Sequence, residues 1–288
     1  MKLSILLEAI FPVNVTGCGN SAITAAAVVT KTDPDIEAIH YRAQEVIPGG
    51  LFVAISGHAA DGHDFIDTAL DRGAAVIVCE RPVESAGEAV VVEVENSRAA
   101  LAALAAQFYH QPSEKLTLVG ITGTNGKTTT SYLIERILME AGLTVGVIGT
   151  INYRFSGTVY DNPVTTPESL DLQQILARMQ AEGVSHVVLE VSSHALDLHR
   201  VDACWIDVSV FTNLTQDHLD YHKNMETYWA CKKKLFTEVL RTGPKKQRAV
   251  AVINRDDPRG EELAQIQSLK KITFGRSSDN TVWPEKSH

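Results

Sequence analysis

Leu116-Thr117-Leu118-Val119-Gly120-Ile121-Thr122-Gly123-Thr124-Asn125-Gly126-Lys127-Thr128-Thr129-Thr130 passes from an apolar run through a small-residue loop to a lysine and three threonines. The apolar run predicts a strand, and Thr128–Ala141 has helical spacing. A loop of small residues between them lets backbone N–H groups wrap an anion at the helix N-terminus, where the dipole favours negative charge. In that setting Lys127 neutralises the β- and γ-phosphates of a nucleotide, and the Thr128 hydroxyl reaches Mg²⁺. Gly123, Thr124, Asn125, Gly126, Lys127, Thr128 and Thr129 are thus the candidate phosphate-binding residues. The spacing departs from G-x-x-x-x-G-K-[ST]: Ile121 holds the first glycine position, and Gly120 falls one residue early. A Gly-rich turn without a ligand is the plainer alternative.

Outward from this stretch the chain alternates strand and helix. After the loop helix come Thr144–Thr150, a helix over Pro167–Glu182, His186–Val191, Val208–Leu214, a lysine-bearing helix, Ala249–Asn254 and Lys271–Gly275. Apolar strands between amphipathic helices predict a mainly parallel sheet covered on both faces. The part before it reads as a smaller α/β unit. Its strands are Leu51–Ile55, Ala74–Glu80 and Ala89–Val94, with helical spacing over Asp64–Arg72 and Ser97–Tyr109. Gln111-Pro112-Ser113 breaks the Ala-rich helix. The expected domains are therefore residues 1–112 and 113–288.

The 288 residues are 44% hydrophobic and 21% charged, which is ordinary globular composition. A formal net charge of −9 argues against nucleic acid or an anionic membrane as the main partner. Cys18, Cys79, Cys204 and Cys231 are scattered without a C-x-x-C pair, as expected of a reducing compartment. The N-terminal run up to Cys18 loosely resembles a lipoprotein signal, but Glu8 and Pro12 break it and only Lys2 supplies positive charge. No stretch reaches the length of a membrane span. The expectation is a cytoplasmic monomer.

Further candidates lie just past predicted strands, at the edge where open parallel sheets bind ligands. Glu190 ends His186–Glu190; a carboxylate there serves as a Mg²⁺ ligand or as a solvated strand-end acid, and the residues alone leave both open. Ser192–Arg200 is dense in groups that suit an anionic substrate. Thr212–His222 offers His218 as a metal ligand, while Asp217 and Asp220 suit helix capping. Thr165 and Thr166 present hydroxyls before Pro167, which suits the first helical position. From Y-W-A-C-K-K-K-L-F (Tyr228–Phe236) on to Val239, a 100° step per residue sets Tyr228, Cys231, Lys232, Leu235, Phe236 and Val239 on one arc; Lys233 and Lys234 point elsewhere. A lysine on an apolar face is either a snorkelling stem or a working residue. Together these elements point to ATP, magnesium and phosphoryl chemistry.

G-T-N-G-K-T-T, T-T-P, E-V-S-S-H-A-L…H-R-V, T-N-L-T-Q-D-H-L-D-Y-H and Y-x-x-x-K-x-x-L-F, in this order, resemble the Mur ligases of peptidoglycan synthesis. V-I-P-G-G-L-F-V-A-I-S-G…D-G-H-D-F resembles the family's UDP-binding domain. The E-V-S-S-H-A-L…H-R-V segment is similar to the branch that adds the third amino acid of the peptide. The resemblance implies a small UDP-binding α/β domain, then an ATP-binding domain of P-loop type. It implies ATP on Lys127, Mg²⁺ held by Thr128, Glu190 and His218, and Lys232 carbamylated by CO₂ as a further Mg²⁺ ligand. The implied substrates are UDP-N-acetylmuramoyl-L-alanyl-D-glutamate and a diamino acid, diaminopimelate or L-lysine. Thr165, Thr166, Ser192 and Arg200 match positions that hold the muramoyl dipeptide. The chain departs from the family at Arg42-Ala43-Gln44, where Asp-Ser-Arg is usual, and this bears on Ala43 as a UDP contact. It also departs at Leu198, where a polar residue often precedes His-Arg. It closes at Glu285–His288 without the amino-acid-selecting domain. On this reading it is the N-terminal part of a ligase and is not expected to complete the reaction alone. A non-catalytic binder of UDP-muramoyl precursors and another Mur-type ligase are the alternatives.

Overall fold

The computed structural model describes residues 1–10, 14–17, 21–23, 33–57 and 60–285. Cys18, His58, Ala59 and the last three residues lie outside them. The chain divides into two compact units, Met1–His110 and Gln111–His288.

The first unit holds a six-stranded sheet in the order β2-β1-β6-β5-β4-β3. Its strands are β1 (Asn14–Gly17), β2 (Ser21–Ile23), β3 (Ile39–His40), β4 (Leu51–Val53), β5 (Val76–Cys79) and β6 (Val90–Glu93). β3 to β6 run parallel, and β1 is antiparallel to β6. The helices are α1 (Leu3–Leu7), α2 (Ile66–Asp71) and α3 (Ser97–Phe108). The Asn96 side chain accepts from the amides of Arg98 and Ala99 and so caps α3. Phe52, Ile66, Ile77 and Val91 form a core on one face of the sheet.

The second unit is built on eight strands in the order β10-β9-β8-β11-β7-β12-β13-β14. These are β7 (Thr117–Thr122), β8 (Val145–Ile148), β9 (Asn152–Phe155), β10 (Thr158–Asp161), β11 (His186–Glu190), β12 (Val208–Phe211), β13 (Val250–Asn254) and β14 (Lys271–Phe274). All pairings are parallel apart from the hairpin β9–β10 and its contact with β8. The helices are α4 (Pro112–Lys115), α5 (Lys127–Glu140), α6 (Ser169–Ala181), α7 (Ser193–Asp197), α8 (Leu219–His222), α9 (Met225–Thr237) and α10 (Pro258–Ala264). Alternation sorts the two faces. Leu118, Ile148, Val187 and Leu189 pack under Leu172 and Leu176 of α6, Leu235 and Phe236 of α9, and Leu263 of α10. Val119, Ile121, Val147 and Val188 turn the other way, toward Ile134 and Leu138 of α5.

Some expected boundaries shift. The helix expected over Pro167–Glu182 starts at Ser169, because the Glu168 side chain takes the cap position and accepts from the Ser169 amide. Pro167 thus lies before the helix and is not its first residue. The loop helix begins at Lys127, one residue early. Ile121 is interior to β7 and fully buried, so the phosphate loop is shorter than the standard spacing and starts at Gly123.

Candidate active site

Because the central strands run parallel, their C-terminal ends share one edge. The chain leaves β7 toward β8 on one side, and leaves β12 toward β13 on the other. The crevice between β7 and β12 is therefore a topological switch point, where ligands bind in open α/β sheets. The Gly123–Gly126 loop follows β7, and Thr212-Asn213 follows β12.

These two segments are tied together. The Thr124 amide donates to Asn213 O at 2.9 Å, and the Asn125 amide to Asn213 Oδ1 at 3.0 Å. Thr212 Oγ1 and Asn213 Nδ2 both donate to Asn125 O, at 2.8 and 3.0 Å. The Thr215 amide donates to Thr124 Oγ1 at 3.0 Å. Gly123 needs its missing side chain: φ is +150°, and a Cβ would fall 1.9 Å from Thr212 Oγ1. The first intrahelical bond runs from the Thr130 amide to Gly126 O. The amides of Lys127, Thr128 and Thr129 therefore open the helix N-terminus, the geometry that receives phosphate. Thr212, Asn213 and Thr215 are residues the motif reading did not assign to the loop; their place follows from β12 pairing with β7.

Lys127 Nζ donates to Gly123 O and Thr124 O at 2.9 and 3.0 Å, folded back over its own loop. Lys232 Nζ donates to the same Gly123 O at 2.9 Å and lies 4.5 Å from the centre of the Tyr228 ring. Lys232 is 1% exposed. Burial, with the Lys127 charge beside it, pulls its pKa down to about 7. Burial lowers that of Lys127 as well. Lys233 and Lys234 point away, one paired with Glu262 at 2.7 Å and the other with Asp197 at 3.8 Å.

Glu190 is 1% exposed, and its Oε2 accepts from Thr128 Oγ1 at 3.0 Å and Thr150 Oγ1 at 2.9 Å. It is a buried carboxylate at the mouth of the loop, and not a solvated strand-end acid. Thr166 Oγ1 donates to Glu190 O at 2.9 Å, and Arg200 Nη1 donates to Thr166 O at 3.0 Å. Arg200 also faces Glu168, with Nε 3.4 Å from the carboxylate. Ser192 Oγ accepts from the Ala195 amide and caps α7. Thr166, Ser192 and Arg200 thus form one connected group at the backbone of Glu190, and Thr165 joins it through Thr150. His218 sits at φ +52° at the start of α8, 3.4 Å from Asp217, with its ring edge-on to His194 and near Tyr228. Burial, with His218 and Arg200 nearby, lowers the pKa of His194. Among the described residues no three His, Cys, Asp or Glu side chains gather to hold a metal. Of the three residues expected at Mg²⁺, Thr128 and Glu190 meet directly, and their oxygens are the hard ligands that ion takes, while His218 contacts Asp217, His194 and Tyr228.

In the first unit, Ala43 lines a cavity of about 310 Å³ with Tyr41, Gln44, Phe52 and Phe65. His63 borders this region in a fixed tautomer. Its Nε2 accepts from the Glu80 amide at 2.9 Å, so Nδ1 carries the proton toward Asp61.

Residues 121–288 match the Mur ligase middle domain, and residues 35–109 match the Mur ligase family, catalytic domain. The chain belongs to the Mur ligase family. A relative from Geobacter metallireducens, UDP-N-acetylmuramoyl-L-alanyl-D-glutamate–2,6-diaminopimelate ligase, is 47% identical over 87% of this chain and 49% of its own length. A solved structure of a ligase of the same name is 25% identical, with a TM-score of 0.71 over 85% of this chain and 49% of that one. The MurF ligase of Thermotoga maritima, solved in complex with ADP, is 26% identical with a TM-score of 0.55, covering 84% of this chain and 51% of that one. The chain thus spans about half the length of the relatives it matches. Mur ligase membership accords with the expected α/β class, a parallel sheet bearing a phosphate loop. Among the described residues no helix is long and apolar enough to cross a membrane.

Proposed function

We propose that this chain carries the ATP-activating and precursor-binding part of a ligase that joins a diamino acid to UDP-N-acetylmuramoyl-L-alanyl-D-glutamate. The observation that supports it most is the shared Gly123 carbonyl. It brings Lys127 and the low-pKa Lys232 to one phosphate loop, beside the buried Glu190. Residues 1–112 bind the uridine-diphosphate end of the precursor, and residues 113–288 bind ATP. A terminal carboxylate oxygen of the precursor attacks the γ-phosphorus; the bond to the β-phosphate oxygen breaks, and ADP leaves. The amine then attacks the acyl phosphate, loses a proton and expels phosphate. Lys127 and the loop amides bind and orient the phosphates, while Arg200 and the Thr165–Thr166 hydroxyls orient the acidic peptide. Mg²⁺, held by Glu190, Thr128 and His218 with the phosphates, supplies charge neutralisation when bound. At pH near 7 a large share of Lys232 is a neutral amine. Its nitrogen would add to the carbon of CO₂ and release one proton to solvent, and the carbamate so formed would replace a competing cation with an anionic ligand for Mg²⁺.

Calorimetry of the chain with Mg·ATP and with the UDP-muramoyl dipeptide tests the proposal. Binding of both is expected. A chain that binds the precursor but not ATP is instead a non-catalytic precursor binder.

A further inference from the structure

The Glu190 carboxylate is steered by a residue outside every motif that marks the loop. Thr150 stands in the turn after β8, and its Oγ1 reaches Glu190 Oε2 at 2.9 Å. In that bond the hydroxyl is the donor. A hydroxyl has one proton to give. The 3.2 Å contact between Thr150 Oγ1 and Thr165 Oγ1 must then have Thr165 as its donor. That second bond keeps the Thr150 proton turned toward Glu190.

The turn itself is fixed from both sides. Asn162 Nδ2 donates to Gly149 O at 2.8 Å, and the Gly149 amide donates to Asn152 O at 3.1 Å. Gly149 also makes room for the acid, because a Cβ there would lie 2.2 Å from Glu190 Oε1. Oε2 is thereby occupied by the Thr128 and Thr150 hydroxyls, and Oε1 is set against a glycine that no side chain can crowd.

We propose that Thr150 is a positioning residue for the reaction: with Thr165 behind it, it holds the Glu190 carboxylate in the orientation that receives the nucleotide-bound cation. The inference rests on Glu190 as a cation-holding carboxylate.

The test is Mn²⁺ titration followed by electron paramagnetic resonance, on the full chain with a non-hydrolysable ATP analogue. Thr150→Val is isosteric and lacks the donor, and loss of a hydrogen bond to a charged group predicts about tenfold weaker Mn²⁺ binding. Thr150→Ser restores binding to within about twofold, because one hydroxyl is all the role requires. Thr150→Ala serves if the valine variant does not fold. Equal Mn²⁺ affinity in the wild type and Thr150→Val (or Thr150→Ala) overturns the inference, as does a serine variant as weak as the one lacking the hydroxyl. A lower melting temperature with unchanged Mn²⁺ affinity assigns Thr150 a purely structural part, and also overturns it. If the unaltered chain binds the analogue without Mn²⁺, or binds neither, the reading of Glu190 fails first.

Discussion

Lys232 shows how far one side chain is readable from sequence. Its phase on α9 placed it among Tyr228, Cys231, Leu235 and Phe236, and all five are buried. The sequence does not reveal what the ammonium meets. Gly123 O lies more than a hundred residues earlier in the chain and comes within 2.9 Å only because β7 and α9 converge. A consequence follows for stability. The usual lysine pKa of 10.5 falls to about 7 in the fold. Between these values the unfolded chain binds a proton that the folded one does not, so stability rises with pH across this window. Below pH 7 both states are protonated and the penalty of the buried charge is present in full. Lys232→Met should therefore raise the melting temperature most at pH 6, with the gain shrinking steadily toward pH 10. Thermal unfolding of both proteins over that range checks this. A gain independent of pH would mean that Lys232 keeps an ordinary pKa in the fold.

At the scale of elements, the strand–loop–helix around Gly123 was legible because periodicity and small residues agree there. The buttress behind it was not. Thr212-Asn213-x-Thr215 carries no local signature of loop support; its role arises from the parallel register of β12 on β7, some ninety residues apart in sequence. Asn213→Ala removes an acceptor from the Asn125 amide and a donor from Asn125 O. Nucleotide binding should weaken about tenfold, the worth of roughly one net hydrogen bond, with the sheet intact by circular dichroism. Unchanged affinity would show that the loop holds its shape without the Asn213 side chain. The hairpin β9–β10 was missed although a signal was present. Ser156-Gly157 joins two alternating runs, and both residues have positive φ, +50° and +77°, as a two-residue hairpin turn requires. Tyr153 and Tyr160 stack across it with ring centres 4.7 Å apart.

For the whole molecule, the alternation of strand and helix foretold a parallel sheet, and the order of its strands explains where the site falls. A switch point cannot be read from local pattern, since it depends on which side of β7 each later strand is laid. All the contacts described for the phosphate loop come from residues 111–288. That segment, expressed alone, should bind Mg·ATP with the affinity of the full chain, and a loss beyond about tenfold, or 1.4 kcal/mol, would assign the first unit a part in the nucleotide site. The most direct test of the account is calorimetric titration of the chain with Mg·ATP beside its Lys127→Ala variant. The account predicts saturable, Mg²⁺-dependent binding that the variant loses. Binding by the variant equal to that of the unaltered chain would contradict it.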